Sequence, residues 1–348
     1  MRKEFKIMLY GLGKVGRQVL AMLNHLDLPV ALAALSDSSA CLTGDPLTSQ
    51  LVENAIRAKE AGERLSHFPG SQPLSALPAL FTEDLIIIDT SVVKDMDWKD
   101  ALNKGCRLVF ANKNALSAPW RQAKHLFSNP NVRYEATVGA GLPVIASLAS
   151  QVASGDPITR VEGVMSGTLG FLCSRLEQGA SYSQAVRDAY DAGYTEPDPR
   201  DDLSGFDVLR KTLILARTAG WQMEKEEVEV LPLYDERLLG MPLADFFEAS
   251  ALLNADYAAM AKTAAENGNT LRYLATVTAR GGRIGLREVA ENSALGALNG
   301  PGNYFAFYSR NYNPDPLVIA GPGAGATVTA NGVINDIIAL IQKDSGRP

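Results

Sequence analysis

Histidine and cysteine are scarce in this chain, three of each in 348 residues, and they stand far apart: His25, His67 and His125; Cys41, Cys106 and Cys173. No metal-ligand spacing or disulfide framework can be drawn through them, and so few thiols suit a reducing compartment. The opening MRKEFKIMLYGLG lacks a signal-peptide core, and no apolar run reaches membrane-spanning length. There is no dense lysine and arginine run either, and the net charge of −6 argues against nucleic acid as the main partner. These gaps leave a cytoplasmic globular protein, with no membrane and no nucleic acid, as the expectation. The length exceeds one typical domain, so two are expected.

What is present begins with the apolar run FKIMLY at 5–10, which ends at Gly11-Leu12-Gly13-Lys14-Val15-Gly16 and is followed by an amphipathic stretch through Leu23. Strand, G-x-G-x-x-G and helix in that order form the dinucleotide fingerprint in the context it needs. Gly11 permits a tight turn, Gly13 lets the backbone approach a pyrophosphate, and Gly16 allows close helix–strand packing. The helix start, with Lys14 and Val15, offers free N–H groups to phosphate. A second apolar run, 30–35, leads to Asp37, twenty-one residues past Gly16, where a carboxylate on the adenosine ribose is expected. Two further strands, 85–89 and 107–111, end in Thr90-Ser91 and Asn112-Lys113-Asn114. Ligands gather at such carboxyl ends in an open parallel sheet, so Thr90, Ser91 and Lys113 become candidates for the nicotinamide end or the substrate. The alternative for Lys113 is a surface lysine at a loop. Tyr10 and Lys14 share a Y-x-x-x-K spacing, but at the phosphate turn no substrate carbonyl would meet them.

The stretch GYTEPDPRDDLSGFDVLRK, residues 193–211, carries Glu196, Asp198, Asp201 and Asp202 among Pro197 and Pro199. Those prolines predict a loop. A helix is predicted next, with Ser204 as N-cap and Gly220 past its end. Asp207 and Lys211, four residues apart, share one helix face and can bind a small polar molecule and move a proton on it. The plain alternative is an exposed ion pair contributing about 0.3–0.5 kcal/mol.

In YEATVGAGLP, 134–143, Glu135 stands beside several loop carbonyls, the hard-oxygen set an alkali cation uses. On spacing alone a domain-crossing turn accounts for it better. The βαβ rhythm stops near 141, and the rest predicts a mixed α+β domain: a strand at 158–165, helices over 169–178 and 181–192, a hairpin turning at Gly281-Gly282, and two more antiparallel strands at 303–308 and 317–320. Gly321-Pro322-Gly323-Ala324-Gly325 then opens a long helix, 328–342. The fold class is therefore α/β, a Rossmann-type doubly wound parallel sheet plus an α+β substrate and dimerisation domain. The expected limits are 1–140, 141–320 and a C-terminal helix within 321–348 that returns to the first domain.

Taken together, GLGKVG, DTS, ANK, YEATVGAGLP, GVMSGTLG, GYTEPDPRDDLSGFDVLRK and GAGATVTANGV occur in an order that resembles homoserine dehydrogenase nearly end to end. That resemblance implies reversible NAD(P)-dependent oxidation of homoserine to aspartate 4-semialdehyde, on the route to threonine and methionine. It implies Lys211 as the proton donor and acceptor, with Lys113 at the hydride-transfer centre. Glu196, Asp202 and Asp207 would bind substrate with Gly193 nearby, and Thr90 and Ser91 would lie near the nicotinamide. Gly325 would approach the cofactor, and Glu135 with the carbonyls of Val138, Ala140 and Leu142 would match a monovalent-cation site for sodium or potassium. A homodimer through the second domain's sheet is implied as well. No regulatory extension follows the last helix and no kinase domain precedes Met1, so threonine feedback through such a domain is not expected.

The chemistry adds two expectations. A free lysine, with a pKa of about 10.4, is a poor base at neutral pH, so homoserine oxidation should be favoured in alkali. Asp37 followed by Ser38 and Ser39 puts an anion and no cation at the ribose, which favours NAD over NADP. Two competing readings are an aspartate-semialdehyde dehydrogenase-like enzyme, which needs a nucleophilic cysteine, and a non-catalytic nucleotide-sensing protein.

Overall fold

The structure, a computed structural model, describes residues 4–94 and 97–344; the expected domain limits at residues 1 and 348 lie outside the described residues. The chain divides into two compact units, Met1–Pro143 with Ala324–Pro348, and Val144–Gly323.

In the first unit the chain runs β1 (Phe5–Tyr10), α1 (Lys14–Leu23), β2 (Val30–Ser36), β3 (Cys41–Thr43), α2 (Ser49–Glu60), β4 (Leu85–Asp89), α3 (Lys99–Asn103), β5 (Arg107–Phe110), α4 (Asn114–Ser117), α5 (Trp120–Phe127) and β6 (Val132–Arg133). The sheet order is β3-β2-β1-β4-β5-β6. β4 reads LIIID and is buried throughout, as a parallel strand covered on both faces must be. β2 and β4 flank β1 on opposite sides, so the order reverses at β1 and places a ligand crevice beyond its carboxyl end. Only the edge departs from the parallel pattern: β3 folds back antiparallel on β2. The cause is local. The Asp37 carboxylate accepts the N–H groups of Ser39 at 2.7 Å and Ala40 at 3.2 Å, which closes a side-chain-capped turn.

The second unit contains α6 (Val144–Ala153), β7 (Ile158–Val164), α7 (Gly167–Glu177), α8 (Tyr182–Asp191), α9 (Pro199–Leu203), α10 (Phe206–Thr218), β8 (Val228–Val230), α11 (Leu243–Ala249), α12 (Asn254–Glu266), β9 (Asn269–Thr278), β10 (Gly281–Ala290), β11 (Gly302–Ser309) and β12 (Leu317–Pro322). Its mixed sheet has the order β12-β11-β7-β9-β10-β8. The β9–β10 hairpin turns at Ala279-Arg280, not at Gly281-Gly282, because Thr278 already pairs with Gly281. Gly281 is instead a packing position, where a Cβ would stand 2.8 Å from the Glu227 carbonyl.

The last helix, α13 (Ala326–Asp344), belongs to the first unit. Ala330, Val333, Ile334, Ile337, Leu340 and Ile341 bury one face in the same core as Phe5, Ile7, Val19, Leu20 and Ile86. Each fully buried aliphatic side chain there contributes about 1.5–3 kcal/mol. Among the described residues no helix is long and apolar enough to cross a membrane.

Candidate active site

The three fingerprint glycines serve three different steric purposes. Gly11 has φ +115°, and a Cβ on it would lie 2.6 Å from the Ser91 nitrogen. A Cβ on Gly16 would lie 2.1 Å from the Gly11 carbonyl, so the helix can close on the turn only without a side chain. Gly13 has nothing within 4 Å of that position, which leaves its backbone open to an approaching group. No side chain caps the first turn of α1 and no acid sits in it. Its N–H groups and positive dipole end therefore stay available to an anion, with Lys14 exposed and Val15 half-buried at the same helix start.

Asp37 is engaged differently from the ribose contact expected of it. Oδ1 accepts from Ser39 N–H and Oγ, the latter at 2.6 Å, and from Ala40 N–H. Oδ2 accepts from Lys59 Nζ at 2.7 Å and from Leu65 N–H at 3.0 Å. Burial pushes its carboxyl up, but the hydrogen bonds from Lys59, Ser39 and Leu65 outweigh that and hold it well below the usual carboxylate range. The anion expected at the ribose is turned into the fold, so it cannot by itself dictate cofactor choice.

At the ends of β4 and β5, Asp89 joins two loops. It is 1% exposed; Oδ1 accepts from Ser91 N–H at 2.9 Å and from Ser91 Oγ at 2.7 Å, and Oδ2 accepts from Asn112 Nδ2 at 3.2 Å. Burial raises its pKa while these donors pull it back. Thr90 Oγ1 donates to the Gly11 carbonyl at 2.6 Å, tying the strand end to the phosphate turn. Lys113 is the N-cap of α4, and the asparagines on either side of it both reach the Val93 carbonyl, at 2.9 Å from Asn112 and 3.2 Å from Asn114. Asp89, Asn112 and Asn114 thus fix the backbone that carries Ser91 and Lys113.

The segment after β6 is a short 3-10 turn, Glu135–Thr137, and then Gly139 and Ala140 at φ +77° and +57°. Among the described residues Ala140 is the sole non-glycine in the left-handed region, a strain of about 1–3 kcal/mol that persists only where neighbours enforce it. Glu135, Val138 and Ala140 are buried, with Leu142 half-buried beside them. Glu135 N–H donates to Asp336 Oδ2 on α13 at 2.8 Å. Burial first, and the Glu135 charge after it, push the Asp336 carboxyl up to about 8. The buried Glu135 carboxyl and the backbone carbonyls beside it are oxygen donors of the kind a hard cation takes. Gly325, just ahead of α13, has φ +113° and open space where a side chain would be.

In the second unit the acidic stretch is partly helical. Pro199 is tolerated at the first position of α9, and Asp198 caps that helix by accepting Arg200 N–H at 3.0 Å. Asp198 also takes the Arg200 guanidinium in a fork at 2.6–3.1 Å, so its role is structural. Ser204 is the C-cap of α9, and Gly205, at φ +72°, precedes α10; Ser204 Oγ still accepts the first N–H of α10, from Phe206, at 3.1 Å. Gly193 ends α8 and Gly220 ends α10, each left-handed and each inside a Schellman-type pair of bonds.

Asp207 and Lys211 meet as the spacing predicts. Nζ lies 2.9 Å from Asp207 Oδ2 and donates to the Met165 carbonyl at 2.6 Å, with only 12% of the lysine side chain exposed. Asp207 Oδ1 takes Arg210, its i,i+3 neighbour on the same helix, at 2.9 Å. Asp202 Oδ2 accepts Glu196 N–H at 2.8 Å, and Oδ1 lies 3.0 Å from Thr168 Oγ1, which also lies 2.7 Å from the Tyr194 carbonyl. Burial raises the Asp202 pKa. Met165 and Thr168, at the turn between β7 and α7, therefore hold both the lysine and the acidic loop, while Glu196 stays exposed. The motif GVMSGTLG was the available signal for this turn.

The thiols do not provide a nucleophile. All three are free and buried, and burial raises their pKa values, to about 11 for Cys106 and about 12 for Cys173. A semialdehyde dehydrogenase needs the opposite, a thiolate near neutral pH.

The chain is similar to known proteins. A family model described as homoserine dehydrogenase matches residues 143–338. A homoserine dehydrogenase of Paracoccidioides brasiliensis is 35% identical across 96% of this chain and 96% of its own length. The bifunctional aspartokinase/homoserine dehydrogenase 2 of Zea mays is also 35% identical, across 94% of this chain; the chain spans 37% of that longer relative. Among solved structures, a putative homoserine dehydrogenase from Archaeoglobus fulgidus superposes with a TM-score of 0.78 at 25% identity, covering 97% of this chain and 99% of its own.

Proposed function

Since the chain belongs to the homoserine dehydrogenase family, we propose that it oxidises L-homoserine reversibly to L-aspartate 4-semialdehyde with a nicotinamide dinucleotide. The observation that carries this reading is Lys211, an ammonium shielded from solvent and aimed by Asp207 and the Met165 carbonyl. A lysine has three donors; those two acceptors take two and leave one for the substrate oxygen.

In this scheme the first unit binds the cofactor and the second the substrate. Gly11, Gly13, Gly16 and the start of α1, with Lys14 and Val15, receive the pyrophosphate. Thr90, Ser91 and Gly325 border the nicotinamide end, with Lys113 near the reacting carbon. Glu196 and Asp207 bind the homoserine amino and hydroxyl groups beside Gly193, and Asp202 holds the loop that presents Glu196. The bound nicotinamide supplies the hydride acceptor or donor. In oxidation the neutral amine of Lys211 takes the hydroxyl proton, and in reduction the Lys211 ammonium donates a proton to the carbonyl oxygen. Oxidation releases one proton overall, so its apparent equilibrium constant rises tenfold per pH unit, and alkali favours that direction.

For cofactor choice the proposal is a preference for NAD, on a changed basis. Asp37 neutralises Lys59, and that pair offers a 2′-phosphate no unpaired cation. Glu135 with the Val138, Ala140 and Leu142 carbonyls would hold sodium or potassium. β12 presents Val318, Ala320 and Pro322 together on its exposed face, a strip suited to a homodimer through the second unit's sheet. Three buried, unpaired thiols fit a cytoplasmic setting, and homoserine, the product of the reductive direction, would feed threonine and methionine synthesis. Lys211→Ala tests the reading: cofactor affinity should stay and turnover should be lost in both directions. Normal turnover with an unchanged pH profile would overturn it.

A further inference from the structure

Asp336 takes no part in the scheme above, although it is 6% exposed and accepts the Glu135 N–H at 2.8 Å. It belongs to a series along α13. A Cβ on Gly332 would stand 2.4 Å from the Ala140 carbonyl, and a Cβ on Gly141 would stand 2.5 Å from the Val328 carbonyl. Residues 328, 332 and 336 are four apart, so they share one helix face, next to the apolar face that enters the core. The helix thus meets the 135–141 turn at three successive levels. Two of these are close approaches, which stop the turn from coming nearer. The hydrogen bond to Asp336 is the polar, directional contact that holds it, beside the apolar packing of Ala136 in the core that α13 enters.

The turn has reason to lift. Ala140 is held at φ +57°, a conformation that relaxes unless something retains it. We propose that Asp336 is a positioning residue for the cation turn: by gripping the backbone at Glu135 it keeps the Glu135 carboxylate and the Val138 and Ala140 carbonyls in the arrangement a monovalent cation needs. Asp336 acts through the backbone of residue 135 and is not itself a ligand. The inference rests on the cation reading given above, and its test separates the two.

The full-length protein is melted in choline chloride with increasing sodium or potassium chloride at constant ionic strength, and cofactor affinity is followed by NADH fluorescence. The wild type should gain melting temperature with a saturable cation dependence. Asp336→Asn retains an acceptor oxygen and should show the wild-type half-saturation. Asp336→Ala should need at least tenfold more cation, or show no gain, while binding NADH as before. Gly332→Ala pushes on the Ala140 carbonyl without touching the carboxylate, and should raise the half-saturating concentration too; it keeps the inference testable should Asp336→Ala fail to fold. Wild-type half-saturation in a folded Asp336→Ala, or in Gly332→Ala should Asp336→Ala fail to fold, would overturn the positioning role and leave the cation reading standing. A wild type with no cation-dependent gain would overturn the cation reading, and the inference with it.

Discussion

The phosphate turn of the first unit and the acidic segment of the second are built on opposite principles. The turn leaves its donors unused: no side chain caps α1, Gly13 faces open space, and tight packing at Gly11 and Gly16 only sets the backbone. The acidic segment uses most of its carboxylates internally. Asp198 binds Arg200, Asp202 binds the Glu196 N–H, and Asp207 divides itself between Arg210 and Lys211. In the proposed scheme, affinity for a dinucleotide thus comes from backbone left bare, while the proton-transfer group is aimed by side chains already committed. Five acids within residues 193–211 therefore need not mean five ligands.

Four substitutions put that contrast to the test. The largest effect belongs to Lys211→Ala, which should lower kcat by roughly 10³-fold, within the range for loss of a general acid–base group, and leave the NADH dissociation constant within twofold. Gly16→Val should do the reverse at the cofactor. Its Cβ would collide with the Gly11 carbonyl, and NADH affinity measured by fluorescence titration should fall at least tenfold.

Asp37→Asn should act on stability, on the order of 3 kcal/mol at pH 7, since it breaks a largely buried pair with Lys59. The sign of its pH dependence follows from a folded pKa below the unfolded one. The wild-type advantage is fully present above the ordinary aspartate value of about 3.9 and is lost as pH falls through the folded value. Denaturant midpoints of the two proteins should therefore converge in acid. The same variant releases Lys59, so the NADP-to-NAD ratio of kcat/KM should rise. The smallest effect is expected for Ser204→Ala, which removes the acceptor for the Phe206 N–H and should cost about 1 kcal/mol with little change in KM.

Much of this was legible in the sequence because backbone geometry leaves a compositional mark. Glycines that must be glycines, apolar runs buried on both faces and an i,i+4 pair on a helix all translate directly, and β1, β4 and the Asp207–Lys211 contact stand where pattern put them. Side-chain partners do not translate in that way. Asp37 could face a ribose or fold back onto Ser39 and Lys59, and sequence spacing is identical in both cases. Asp89 reads as the end of a strand, and its reach to Asn112 across two loops has no local signal. Asp336 lies two hundred residues from Glu135. Pro199 predicted a loop because proline breaks helix interiors, but at a first helical position its missing N–H is no loss.

The most direct test of the account is the reaction itself. Wild-type protein with L-homoserine and NAD or NADP, in sodium or potassium salt at alkaline pH, is followed at the reduced-nicotinamide absorbance band. The expected result is a rise that depends on homoserine, is absent with L-serine, and is faster with NAD. No rise at saturating homoserine with either cofactor, from protein that still binds NADH, would contradict it.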